Sequence, residues 1–245
     1  MKNKRYPILD SLRGLRLISM IAYHTVWDMV YIFGEKWNWY KSDGAHIWQQ
    51  SICWSFILLS GFCWSFGKKK WKRGMIVFGA GIVIMLTTAI AMPENKVLFG
   101  VLTLLGSCML LMIPLEKILK RIKPLCGLLL ALVLFLFMYK INQGYLGFGE
   151  WQAVVLPKRW YANLFTAYLG FPTGAFRSTD YFPILPWCFL FVAGYFLHRV
   201  FVEKELLTYL EKGKNRVLEH LGKHSLVIYM LHQPLAYGVL FMYYN

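Results

Sequence analysis

Charge is what this 245-residue chain is short of. Asp, Glu, Lys and Arg together make up 16% of it, against about 25% in an ordinary soluble chain. Apolar residues reach 58% and aromatics 18%, so the shortage excludes a water-soluble globule. Acidic residues are scarcest, 12 against 27 Lys and Arg, for a net charge of +15. An excess of that size can suit nucleic acid, but here the cations sit in short clusters between apolar segments. That is the pattern of cytoplasmic loops, and it implies attraction to anionic lipid and no nucleic-acid partner. Cysteine is sparse and scattered: Cys53, Cys63, Cys108, Cys126 and Cys188 form no C-x-x-C pair, and no Cys/His spacing resembles a zinc site. They read as small hydrophobes, with no disulfide or metal implied. No repeat is visible. Lys2, Lys4 and Arg5 precede an apolar run that resembles a secretory signal, but the run is too long, is broken by charges and lacks a small-residue cleavage site. It reads as a retained first span.

What is present is a series of long apolar segments. They predict an all-α polytopic membrane protein, a single domain over residues 1–245 built as a bundle of about seven transmembrane helices. The expected spans are Ile8–Phe33, Ile47–Phe66, Met75–Ala91, Val97–Leu115, Leu125–Tyr139, Pro183–Phe201 and Leu226–Tyr243. With the N-terminus cytoplasmic, the clusters at 68–73 and 117–123 and the cations from Arg199 to Lys223 all fall inside, as the positive-inside rule asks. Trp160–Phe171 is too short to cross about 30 Å of hydrocarbon, so an interfacial or re-entrant helix is expected there.

The first span, ILDSLRGLRLISMIAYHTVWDMVYIF, carries Asp10, Arg13, Arg16, His24 and Asp28. Ionisable residues inside a span are costly and by default mark a functional site. Arg13 and His24 are eleven residues apart, three turns plus about 20°, so both project from one face about 16 Å apart. Asp28 follows four residues later on the same face. One stripe therefore runs Arg13, Leu17, Met20, His24, Asp28. It puts a cation near the cytoplasmic side, where an anionic ligand would arrive, and a His/Asp pair in the outer half, where an external substrate would arrive. The bland alternative is an arginine snorkelling to headgroups beside a buried structural pair. Asp10, three residues before Arg13, is read as holding it. Arg16 lies about 80° off the His24 face, toward lipid phosphate or an anionic ligand.

Four further groups stay open between two roles. His232, before Gln233-Pro234, is either a satisfied buried histidine or part of a ligand path. His46 is either a solvated residue or one facing an acceptor. The loop from Asn142 to Phe182 is longer than a connector needs and rich in aromatics. Those rings either anchor it at the interface or stack on a sugar, with Asp180 accepting from hydroxyls or an amine. Glu150 is a further candidate carboxylate, with no spacing that links it to His24.

Five stretches carry a resemblance. They are Leu9-Asp10-Ser11-Leu12-Arg13-Gly14, Tyr23-His24-Thr25-Val26-Trp27-Asp28, Phe99 to Gly106, Ser178 to Trp187, and Leu221 to Leu226 running into Tyr229-Met230-Leu231-His232-Gln233-Pro234. In this order the chain resembles the transmembrane acyltransferase superfamily. More narrowly, it resembles bacterial proteins with the heparan-alpha-glucosaminide N-acetyltransferase catalytic domain. The resemblance implies a membrane-bound acyltransferase that moves an acetyl group from cytoplasmic acetyl-CoA to an extracytoplasmic sugar amine or hydroxyl. It implies Arg13 at the acyl-CoA site and His24 as the catalytic histidine; within that scheme His24 is read as the base with Asp28 beside it, Arg16 and His232 on the acyl-CoA side, and Asp180, Trp187 and His46 toward the acceptor. One departure is Thr103, where relatives are expected to carry histidine. The rival readings are a transporter or channel using the polar stripe, and a non-catalytic scaffold. The absence of an inverted repeat disfavours transport. Short loops and high lysine content point to a bacterial plasma membrane. Oligomeric state is left open.

Overall fold

The computed structural model describes residues 5–212 and 215–244. Lys2, Lys4 and Lys214, counted among the cytoplasmic cations above, lie outside the described residues. The chain is overwhelmingly helical, in nine α-helices among the described residues. They are α1 Pro7–Tyr31, α2 Asp43–Trp64, α3 Lys70–Ala91, α4 Val101–Leu119, α5 Pro124–Phe137, α6 Leu164–Leu169, α7 Ile184–Glu203, α8 Arg216–Lys223 and α9 Ser225–Tyr244. One hairpin interrupts them, β1 Tyr145–Phe148 against β2 Trp151–Val155. Among the described residues, five helices are long and apolar enough to cross a membrane: α3, α4, α5 with its extension to Gln143, α7 and α9. They coincide with the expected spans three to seven. The first two expected spans are each a continuous helix, α1 of 25 residues and α2 of 22.

The chain forms two compact units. The first comprises the residues up to Leu59 and those from Lys204 onward; the second is Ser60–Glu203.

In the first unit α1 starts with proline at its first turn, where the missing N–H is no loss. Its polar stripe faces inward: Leu17, Met20 and Asp28 are all buried. The segment 203–223, expected only as a charged connector, contains α8. Asn215 caps it, accepting from the Leu218 N–H at 3.1 Å. α8 crosses α1 backbone to backbone. A Cβ on Gly14 would lie 2.1 Å from the Leu218 carbonyl oxygen, and one on Gly222 would lie 1.9 Å from that of Asp10. Only glycine permits that approach at both points. Around the far end of α1, Val30, Tyr40 and Ala45 form a small core with Tyr23, Val26, Trp27 and Trp37.

In the second unit α3 packs on α4 by the same small-residue device, and α5 packs on α7 with Gly127 against the Phe196 ring. A Cβ on Gly106 would sit 2.4 Å from the backbone of Phe78. The basic run 68–73, expected as a loop, supplies the first turn of α3. Lys70 there donates to Glu116 of α4 at 2.8 Å and lies 3.8 Å over the Trp64 ring. The long loop 142–182 is more ordered than its composition suggests. The hairpin was not anticipated; it turns at Gly149-Glu150 with Gly149 in the left-handed region, φ 58°. The expected helix at 160–171 shrinks to the six residues of α6, started by a reciprocal Asn163–Thr166 capping box.

Candidate active site

The site is built on α1 and α9, both in the first unit. Gly222 meets Asp10, His232 meets His24, and the Tyr244 hydroxyl donates to Glu35 at 2.8 Å. The chain from α8 through α9 therefore climbs α1 in the same direction. Residues some 200 positions apart become neighbours level by level.

At the first level, Asp10 is 5% exposed and accepts from Arg5 Nε at 3.0 Å and from Arg13 at 3.5 Å. The arginine side chain is 25% exposed, so Asp10 steers it without consuming its donors. Arg16 is half-buried and makes no ion pair with a described residue.

Three turns on, the His24 and His232 rings lie 5.0 Å apart, centroid to centroid, at 62°. His232 is 8% exposed, and its Nδ1 bonds the Tyr229 carbonyl. A carbonyl only accepts, so Nδ1 carries the proton and Nε2 presents a lone pair. That Nε2 is buried and has no partner among the described residues. Asp28 is 0% exposed. No hydrogen bond joins it to His24 among the described residues; its Oδ1 instead accepts from Gln233 Nε2 at 2.6 Å. Asp28 Oδ2 and Gln233 Oε1 are likewise buried and open. Buried polar atoms are nearly always paired, so three open acceptors on facing turns of two helices form a place for hydrogen-bond donors. Sequence reasoning assigned Gln233 no role. The signal was available, since a glutamine beside a histidine deep in an apolar span is itself costly.

Pro234 lacks the N–H that would bond the Met230 carbonyl. This loosens α9 where His232 and Gln233 emerge.

The remaining predicted residues lie elsewhere. His46 is exposed in the first turn of α2. Asp180 and Trp187 belong to the second unit. Asp180 Oδ2 accepts from the Val101 N–H at 3.3 Å, capping α4, which has no side-chain cap from its own Gly100. Burial pushes the Asp180 carboxyl up to about 6, against the pull of that N–H. Around it, Ser178 Oγ bonds both Leu98 N–H and Leu98 carbonyl, and the Phe182 N–H donates to the Phe99 carbonyl at 2.9 Å. These bonds hold Phe99 in the left-handed region, φ 57°, which a non-glycine residue adopts only when its surroundings impose it. Trp187 is 7% exposed, packed against Phe135, Tyr139 and Phe182. It walls the core and leaves little ring surface for a sugar. Thr103 is 2% exposed with its hydroxyl open, facing Gly81 of α3.

The five sequence stretches thus pair in space within each unit. Leu9–Gly14 lies on α8, Tyr23–Asp28 on Tyr229–Gln233, and Leu98–Val101 on Ser178–Phe182. Residues 5–234 match the family model described as heparan-alpha-glucosaminide N-acetyltransferase, catalytic. The chain belongs to this family. Family and helices together make it a membrane-embedded acetyltransferase. Neither a curated protein nor a solved structure gave a match. Among the described residues of the acetyltransferase, no three His, Cys, Asp or Glu side chains gather as a metal site requires.

Proposed function

We propose that the acetyltransferase takes its acetyl group from acetyl-CoA arriving at the cytoplasmic end of α1 and delivers it to a sugar amine or hydroxyl on the other side of the membrane. His24 acts as the base. It removes the proton from the acceptor nitrogen or oxygen, that atom attacks the thioester carbonyl, the carbon–sulfur bond breaks, and the CoA thiolate takes up a proton. A base of near-neutral pKa is suited to this step, and histidine is the side chain that supplies one. Arg13, half-free beside Asp10, has a planar fork for a CoA phosphate, and Arg16 is a second cation at the same end.

The observation that carries this reading is the pairing of His24 with His232 and of Asp28 with Gln233, which gathers open hydrogen-bond acceptors on two helices of an otherwise apolar bundle. His232 and Gln233 bind the acceptor's donors and orient it. Asp28 positions Gln233.

Binding of acetyl-CoA and of free CoA to the detergent-solubilised protein tests the donor half. Saturable binding that Arg13→Ala weakens tenfold or more is expected. Absence of binding in wild type and variant alike would falsify the reading.

A further inference from the structure

Beside the paired histidines, the structure leaves an open groove of about 390 Å³ on α9. Ile21 and Thr25 of α1 form one wall, and Leu231, Leu235 and Val239 of α9 the other. The three α9 residues are half or more exposed, on a helix long and apolar enough to cross a membrane. From Val227 to Val239 the groove follows α9 for about 18 Å, slightly more than half of the ~30 Å hydrocarbon thickness. His232 sits part-way along it, about 8 Å from Val227 and about 10 Å from Val239, so the groove takes the first carbons of an alkyl chain whose head is held at His232.

Two polar side chains line it. The Thr25 hydroxyl donates to the Ile21 carbonyl at 2.8 Å. The other is His232, more than nine-tenths buried, with Nε2 unpartnered. Because Nδ1 bonds the Tyr229 carbonyl, Nε2 only accepts. A bare hydrocarbon filling the groove leaves that lone pair unsatisfied, and so does an acyl tail, which carries no N–H or O–H of its own. An amphiphile with a hydroxyl or amine satisfies both surfaces.

We propose that the acceptor is a lipid-borne sugar: its alkyl chain lies in the α1–α9 groove and its reacting hydroxyl or amine donates to His232 Nε2, beside His24. This rests on the acetyl-transfer reading and names its substrate class. It also gives the exposed apolar walls of α9 a partner from the bilayer itself.

The test uses the full chain in nanodiscs, with two readouts. Radiolabelled acetyl-CoA is offered glucosamine or dodecyl glucosaminide as acceptor, and a diazirine-bearing dodecyl glucosaminide photolabels the protein without turnover. Expected are a kcat/KM at least tenfold higher for the dodecyl compound and saturable labelling within residues 227–239. Ala236→Phe, which fills the groove, should raise KM for the dodecyl acceptor tenfold and abolish the saturable label, with Ala236→Leu intermediate. Labelling that does not saturate, or that Ala236→Phe leaves intact, overturns the proposal whatever the activity. Displacement of the label by dodecanoyl-CoA assigns the groove to the donor and overturns it as well, as does a dimer that Ala236→Phe dissociates. The acetyl-transfer reading falls separately, when no acetyl group moves from CoA to either acceptor.

Discussion

Asp28 and Asp180 are both shielded carboxylates held by one nitrogen donor, yet they are used differently. Asp180 meets a main-chain N–H at the start of α4, inside a lacing of backbone bonds between 95–101 and 178–182. Its partner is a backbone group at the start of a helix, which it caps. Asp28 meets a side-chain amide on another helix and keeps one oxygen open, next to two more open acceptors. An arrangement that satisfies every polar atom gains stability. One that leaves several buried acceptors open sacrifices stability for the capacity to bind donors. The difference is between a carboxylate that caps a helix and one that keeps an acceptor open, though both are acidic residues held by a single donor.

The sharpest way to break the comparison is His24→Ala. If the α1–α9 side is the reacting centre, acetyl transfer falls by about 10²–10⁴ while acetyl-CoA binding persists; turnover within threefold of wild type removes His24 from the chemistry. Next is Gln233→Leu, which strips Asp28 of its partner. Leaving a buried carboxylate without its hydrogen-bond donor costs about 3 kcal/mol, read as a lower melting temperature in detergent. Asp28→Asn in the same background should recover most of the loss, and failure to recover would mean that Gln233 acts elsewhere. Gly14→Val follows, forcing side-chain atoms into the α8 backbone. Overpacking of this kind costs about 2 kcal/mol, and an unchanged melting temperature would show that the α1–α8 crossing yields freely.

The smallest effects belong to Asp180. Asp180→Ala should cost about 1 kcal/mol, as loss of a helix cap does, and leave acetyl-CoA binding unaltered. Its pH dependence has a definite sign. The folded carboxyl titrates at about 6, above its unfolded value, so its contribution to stability is full below about pH 4. That contribution is lost as pH rises through 6. Asp180→Asn keeps an acceptor for Val101 and should flatten this slope; an equally steep slope in the variant would assign it to another group.

Much of this was legible residue by residue. Five of the expected spans reappear as apolar helices because a run of about twenty apolar residues has few stable alternatives in lipid. The inward face of α1 followed from a spacing of eleven and four. The hairpin at 145–155 was missed because its strands are four and five residues long, too short to announce a period. α8 was missed because its charges hid the two glycine contacts that seat it. The partner of Asp28 was taken to be His24 because four residues along a helix is the nearest visible neighbour. The hydrogen bond comes from Gln233, 205 positions away.

The sequence by itself therefore determined that this is a helical membrane protein, which family it joins, and which face of α1 carries its unusual polar residues. Those properties depend on composition, order and helical period, which are local. Only the tertiary structure decided which residues meet: His24 with His232, Asp28 with Gln233, Asp180 with the start of α4. Such pairings depend on which helices pack and at what height, and that is settled by close backbone approach at a few glycines.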